Sequence, residues 1–141
     1  MVKIRFDDFG TSAVTLDLQE GGTYTFDQSD SSNSGHPLRF YTASDKSGGG
    51  SEYTTGVTTT GTAGSSGAKT VITVAASAPT LYYQCSNHAG MGGQANTNSL
   101  FGLSNFQEYS INCFCFKTLS GLSIIKYTGS GSNATIGHGL F

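Results

Sequence analysis

Three potential metal ligands lie within one short stretch of the chain, in the order Cys85, His88 and Met91. Soft thiolate and thioether ligands select copper, and two imidazoles with one thiolate and a weak axial methionine form the blue-copper electron-transfer arrangement. Such a site needs one more histidine. His36 is our candidate because a polar loop ends there and a strand pattern begins, and His138 in the Gly-rich tail is its competitor. The predicted ligand set, with copper as the cofactor, is therefore His36, Cys85, His88 and Met91.

The presence of copper is a separate prediction from the meeting of the four ligands in space. The same thiolate and imidazoles can hold zinc. A fold can also keep a cluster of such side chains as a structural clamp with no metal bound. Zinc and an empty site therefore stay open beside copper.

The other two cysteines, Cys113 and Cys115, are separated by one residue. In a strand they lie on the same face, with Phe114 and Phe116 on the other. Three cysteines cannot all pair within one chain, and this short spacing strains a disulfide loop. We expect buried, small apolar side chains here rather than a second metal site or a disulfide framework.

Strand patterns place the predicted ligands at the ends of strands. Residues 80–85 predict a strand that ends at the cysteine, whereas residues 36–41 predict a strand that begins at the histidine. Residues 13–18 and 23–27 alternate between apolar and polar, and the Gly-Gly turn between them predicts a β-hairpin. The chain between the histidine and the cysteine is long enough to cross a sandwich and return, so the two ligands can meet.

The remaining segments supply further strands and connections. Residues 45–67 are rich in Gly, Ser and Thr and predict a long connection with one edge strand, and residues 69–74 predict a strand. Residues 109–116 and 122–127 are strand candidates that we expect to form an appendage. The polar residues 92–97 do not read as a closing strand after the ligand loop.

Composition favours an all-β fold and narrows the function. The chain has 20 Gly and only 11% charged residues, a composition that disfavours helices. Its length of 141 residues suits one main domain. A net charge of −2 without a Lys/Arg cluster argues against nucleic acid or a membrane surface as a partner. The sequence has no nucleophile elbow, phosphate-binding loop or catalytic carboxylate pair, so we do not expect an enzyme.

The order of these features resembles the cupredoxin family. Residues 16–27 read as strand, Gly turn and strand before the first histidine, and residues 85–91 match the ligand loop of that family. The resemblance implies a cupredoxin-like Greek-key β-sandwich. It also implies two imidazole ligands, a thiolate and an axial thioether, supplied by His36, His88, Cys85 and Met91.

A closer resemblance covers residues 13–98. The runs at residues 24–40, 50–57 and 81–94, the last of which reads LYYQCSNHAGMGGQ, are similar to a module of structural and tail-fibre proteins of marine and cyanobacterial phages. Residues 121–129 resemble the opening of a lectin-like β-domain that follows this module. The resemblance implies a virion structural protein that serves as a fibre, decoration or adaptor subunit.

These resemblances also imply an organisation and a set of partners. We expect a cupredoxin-like sandwich over residues 1–98 and a C-terminal strand-forming extension over residues 99–141 that makes assembly contacts. The expected partners are other virion subunits, including further copies of the chain, and a host cell-surface receptor. The N-terminus lacks a secretion signal, so we expect synthesis in the host cytoplasm and incorporation into the virion. A type 1 copper electron-transfer protein is the alternative function.

Overall fold

Nine β-strands dominate the residues that the computed structural model describes, which are 2–7, 9–44, 50–99 and 108–117. Their bounds are β1 Val2–Phe6, β2 Leu16–Gln19, β3 Thr23–Asp27, β4 Leu38–Tyr41, β5 Val57–Thr60, β6 Lys69–Thr73, β7 Leu81–Cys85, β8 Gly92–Asn98 and β9 Glu108–Lys117. A short 3-10 turn, Ser31–Asn33, precedes β4. The all-β prediction is confirmed. Within the described ranges, no helix has the length and apolar character needed to span a membrane.

The strands form two sheets that share one core. The five-stranded sheet has the order β1-β9-β3-β6-β5, and the four-stranded sheet has the order β2-β8-β7-β4. Adjacent strands are antiparallel except for the β3–β9 and β2–β8 pairs. The rings of Phe26 in β3 and Phe40 in β4 lie 5.5 Å apart, and those of Phe6 in β1 and Tyr83 in β7 lie 4.9 Å apart. Because these pairs join the two sheets, the fold is a β-sandwich.

Alternating burial accounts for most of these strands. In β3, Tyr24 and Phe26 are buried, whereas the residues beside them are partly exposed, as expected for a strand with one face on a core. The end of β7 departs from this pattern because Tyr83, Gln84 and Cys85 are all buried. Gln84 lies on the face opposite to Tyr83 and Cys85, and its Nε2 donates to the Ala43 carbonyl at 2.9 Å, so the segment after β4 contacts this outer face.

The predicted hairpin of residues 13–18 and 23–27 is wrong, although both strands exist. β2 belongs to the four-stranded sheet and β3 to the five-stranded sheet. Gly21, with φ of 77°, lies in the connection, and its N–H donates to the Val74 carbonyl at 2.8 Å. Leu18 and Phe26 are both buried in the common core. Each strand has one apolar face, so burying both faces against each other places the strands on opposite sides of the core.

Residues 92–97 form most of a strand, contrary to the expectation from their polar sequence. β8 pairs with β7 on one side and with β2 on the other. An ideal Cβ at Gly92 or Gly93 would overlap Tyr83, so these glycines allow β8 to approach β7 closely. Asn96 Nδ2 donates to Asp17 Oδ1 at 2.8 Å, while Ala95 is buried. The polar side chains therefore bond across the outer face of the sheet.

The segment after residue 98 contributes a strand to the sandwich. β9, which sequence analysis assigned to the extension over residues 99–141, pairs with both β1 and β3. The strand candidate at 122–127 and the tail with His138 lie outside the described residues, as do the side chains of Cys113 and Cys115. The domain boundary and the expectations for these residues stay predictions. The predicted edge strand within residues 45–67 is present as β5, which pairs with β6.

Candidate metal centre

Three of the four predicted ligand residues form a cluster that could hold a metal ion. The ligand atoms of His36, Cys85 and His88 all lie within 4.8 Å of one another. Cys85 Sγ is 3.6 Å from His36 Nδ1 and 3.3 Å from His88 Nδ1. The two imidazole ring centroids are 4.7 Å apart. The structure therefore brings together two nitrogen ligands and one sulfur ligand.

The register of two strands brings Cys85 close to His36. Cys85 is the last residue of β7 and has no exposed surface. It lies directly opposite Leu38, the first residue of β4, in the antiparallel β4–β7 pair. His36 precedes Leu38 by two residues. Antiparallel pairing therefore places the end of one strand beside the start of the other.

A polar loop shapes the approach of the chain to His36. Asp30 caps the 3-10 turn by accepting a hydrogen bond from the Ser32 N–H at 2.8 Å. The His36 N–H donates to the Asn33 carbonyl, also at 2.8 Å. Gly35, with φ of 77°, then adopts the left-handed conformation that glycine accepts without strain. Short polar side chains and one glycine thus set the backbone path immediately before the histidine.

The loop that carries His88 closes on Cys85 at both ends. The His88 N–H donates to the Cys85 carbonyl at 3.4 Å, and the Cys85 N–H donates to the Met91 carbonyl at 2.8 Å. His88 is exposed, whereas Cys85 is buried. One side of the cluster is therefore open to solvent through the second imidazole.

Hydrogen bonds join the His88 loop to the His36 loop directly. Asn87 Nδ2 donates to the Gly35 carbonyl at 2.8 Å. The neighbouring Ser86 N–H donates to the Pro37 carbonyl at 2.9 Å. These bonds lie immediately beside the ligands, so they set the distance between the two imidazole-bearing segments.

Two side chains that hold the His88 loop were not predicted from the sequence. Asn87 is one, and Lys3 in β1 is the other, because Lys3 Nζ donates to the Gly90 carbonyl at 2.8 Å. Asn87 lies inside the ligand loop, so its position was a usable signal. Lys3 is 87 residues away from its partner, and no spacing pattern in the chain points to it.

Met91 is placed beside the cluster by its backbone. Its carbonyl accepts the Cys85 N–H, and its side chain is buried with only 1% of its surface exposed. The side chain belongs to the apolar core of the sandwich. A buried methionine whose backbone bonds to Cys85 is compatible with a weak thioether ligand, and this fourth ligand stays a prediction.

Burial and charge favour the neutral form of His36. Partial burial lowers the pKa of His36 below its ordinary value of 6.5, and the nearby His88 lowers it further. A neutral imidazole retains the lone pair with which a histidine binds a metal ion. The His36 side chain is therefore suited to act as a ligand near neutral pH.

The spacing of the ligand atoms fits a coordinated metal ion. A metal bound to sulfur at about 2.3 Å and to nitrogen at about 2.0 Å in tetrahedral geometry holds these two atoms roughly 3.5 Å apart. The observed sulfur–nitrogen distances are 3.3 Å and 3.6 Å. Thiolate and imidazole bind both copper and zinc. The geometry thus supports a metal site, and the donor set does not distinguish these two metals.

No protein-family model matches this chain, and comparisons with curated proteins and with solved structures found no match either. The cluster itself and the sequence motifs around it are therefore the features that point to a function.

Proposed function

We propose that this chain is a cupredoxin-like, copper-binding domain of a phage virion structural protein. The copper proposal rests on the three ligand atoms of His36, Cys85 and His88, which lie within 4.8 Å of one another. The virion proposal rests on the sequence resemblance over residues 13–98. The two parts are independent, so each has its own experiment.

The predicted ligand residues have different roles in the proposed copper site. The Cys85 thiolate and the His36 and His88 imidazoles would hold the copper ion, with the Met91 thioether as a weaker fourth ligand. Bound copper supplies one-electron redox chemistry. The burial of Cys85 excludes water from its sulfur, while the exposed His88 connects the site to solvent.

Titration of the purified, metal-free protein with Cu(II) tests the copper proposal. We expect a visible thiolate-to-copper charge-transfer band that saturates at one copper per chain. Cys85→Ser should abolish the band because it removes the thiolate. Cys113→Ser is the matched control, since it removes a cysteine outside the proposed ligand set and should leave the band unchanged.

Two outcomes would contradict the copper proposal. The absence of any charge-transfer band with wild-type protein would exclude a type 1 centre. Retention of zinc through purification, with no displacement by excess Cu(II), would assign the cluster to zinc instead.

For the proposed fourth ligand, Met91→Leu should shift the charge-transfer band, and an unchanged spectrum would remove Met91 from the ligand set.

The proposed place of the chain is in the assembled particle, in contact with other virion subunits and further copies of itself. Purified particles should contain the chain in a fixed, repeated copy number, measured by quantitative mass spectrometry. Antibody labelling under the electron microscope should locate those copies at one recurring position. Abundant chain in the infected cell with none in purified particles would overturn this proposal.

A single-electron carrier is the alternative, favoured by the exposed His88 next to the buried Cys85. An exposed ligand provides a short path between the site and a redox partner. Line broadening in NMR spectra of mixed Cu(I) and Cu(II) protein measures self-exchange. Fast exchange would favour the carrier, and slow exchange would favour a structural role for the same site.

A further inference from the structure

Gln28 is a buried glutamine whose side-chain amide bonds to the backbone on both sides of Pro37. Its Nε2 donates to the His36 carbonyl at 3.0 Å, and its Oε1 accepts from the Leu38 N–H at 2.9 Å. Only 3% of its surface is exposed. We infer that Gln28 is the positioning residue of the His36 ligand, an inference that rests on the proposed metal function of the cluster.

A glutamine suits this position because its partners demand one donor and one acceptor. The His36 carbonyl can only accept, and the Leu38 N–H can only donate, so these two groups determine the orientation of the amide. Pro37, which lies between them, has no N–H to satisfy. A single side-chain amide therefore satisfies the facing groups of the two residues that flank the proline.

The other backbone groups of this segment are bonded as well. The His36 N–H donates to Asn33, and the Pro37 carbonyl accepts from the Ser86 N–H. The Leu38 carbonyl accepts from Thr70 Oγ1 at 3.0 Å. Gln28 thus completes a set of hydrogen bonds that holds the ligand segment at each residue from 36 to 38. Its loss would leave one buried donor and one acceptor without their partner.

Gln28 is itself held by the loop before β6. Its N–H donates to the Ala68 carbonyl, and its carbonyl accepts from the Gly64 N–H, both at 2.8 Å. Gly64 also packs against the backbone of Ser34, two residues before His36. The backbone of Gln28 is therefore anchored at both of its polar groups, and its side chain acts from a rigid base.

The test compares Gln28→Met with a second buried glutamine, whose side-chain amide donates to the segment after β4. Gln28→Met keeps the length of the side chain and removes both hydrogen bonds. Gln84→Met is the matched control, because Gln84 is 1% exposed and its Nε2 donates to the Ala43 carbonyl at 2.9 Å. Gln28→Glu is a second variant, which keeps the acceptor for Leu38 and turns a carboxylate oxygen toward the His36 carbonyl.

Copper affinity and the spectrum of the copper complex are the first readouts. Residues that orient a metal ligand typically change metal affinity by about 10–100-fold when they are mutated. We expect a loss in this range for Gln28→Met and Gln28→Glu, with a shifted charge-transfer band. Gln84→Met should show the wild-type charge-transfer band, and its thermal stability should be comparable to that of Gln28→Met. Equal effects of Gln28→Met and Gln84→Met would show that Gln28 is structural only and would overturn the inference.

A metal-free readout separates this inference from the proposed function. Cys85 is fully buried beside His36, so displacement of the His36 segment should expose its sulfur. Alkylation of metal-free protein by iodoacetamide, resolved by site with mass spectrometry, should be faster at Cys85 in Gln28→Met than in Gln84→Met. If wild-type protein binds no copper, the proposed function fails while this measurement still decides the role of Gln28. Equal alkylation rates at Cys85 in the two variants would refute the positioning role of Gln28.

Discussion

The two histidines of the cluster are held in different ways. His36 lies in a segment whose backbone is bonded to buried groups, including Gln28 and Thr70. His88 lies in an exposed loop that is tied down by the side chains of Asn87 and Lys3, both in exposed hydrogen bonds. Water competes with exposed hydrogen bonds, so the same number of bonds constrains the second loop less.

This difference indicates how the site would accept a metal ion. The Cys85 sulfur is buried in the core 3.6 Å from His36 Nδ1, and Gln28 holds the backbone that carries the His36 ring, so these two groups form a preset pair. The exposed His88 can then adjust its ring as the third ligand. A site with one rigid side and one adaptable side combines a defined geometry with an entry route.

The largest expected effect comes from substituting a glycine on the more rigid His36 side of the cluster. Gly64 and Gly90 both have positive φ, at 87° and 68°, and belong to the His36 and His88 sides respectively. Alanine at either position adds about 1–2 kcal/mol of backbone strain. An added Cβ at Gly64 would overlap the Ser34 backbone, whereas at Gly90 it meets nothing within 4 Å.

Urea unfolding of the metal-free variants measures this difference. Overlap in a packed region adds roughly 1–3 kcal/mol to the strain. Gly64→Ala should therefore lower the free energy of unfolding by about 2–5 kcal/mol, by adding these two costs. Gly90→Ala should lower it by about 1–2 kcal/mol. Equal losses would show that the two sides are equally constrained.

A smaller effect is expected when the exposed bond between the loops is removed. Asn87→Ala deletes the bond to the Gly35 carbonyl, which should lower the free energy of unfolding by about 0.5–1 kcal/mol. Copper affinity, measured by competition with a chelator, should fall less than in Gln28→Met. Asn96→Ala is the control, because this amide bonds to Asp17 on the outer sheet face. A larger loss of affinity in Asn87→Ala than in Gln28→Met would reverse the proposed order of the two sides.

The smallest effect concerns the pH dependence of the metal-free protein. The pKa of His36 is lowered from 6.5 in the folded state, by burial first and then by His88. The unfolded chain therefore binds more protons as the pH falls through 6.5, and stability decreases from that pH down to the lower folded-state pKa. Unfolding measured across this window should show a shallower slope for His36→Gln than for wild type. An unchanged slope would mean that His36 does not contribute to the pH dependence of stability.

The candidate ligands are recognisable in the sequence by residue type and order, but the residues that support them are not. His36, Cys85 and His88 stand out because few residue types bind soft metals. Gln28 did not stand out, because a glutamine in a polar loop has no spacing signal and its partners lie 8 and 10 residues away. Supporting residues of this kind become recognisable only when the bonds of the folded backbone are known.

The errors about strands have a similar cause. Alternation in residues 13–27 indicated two strands, but the pattern of one strand carries no information about which neighbour it pairs with. The run after Met91 looked unlike a strand because Gly and amide residues have low β propensity. Close packing of Gly92 and Gly93 against Tyr83 and a bond from Asn96 to Asp17 stabilise β8 in place of apolar burial.

The sequence by itself determined the all-β character, the positions of most strands and the residues able to bind a metal, because these depend on local residue type and periodicity. Tertiary structure decided that β2 and β3 lie in different sheets, that β9 lies between β1 and β3, and that three ligand atoms meet within 4.8 Å. Strand pairing and burial join residues far apart in the chain. Their free energies depend on the whole core, so no short stretch of sequence can specify them.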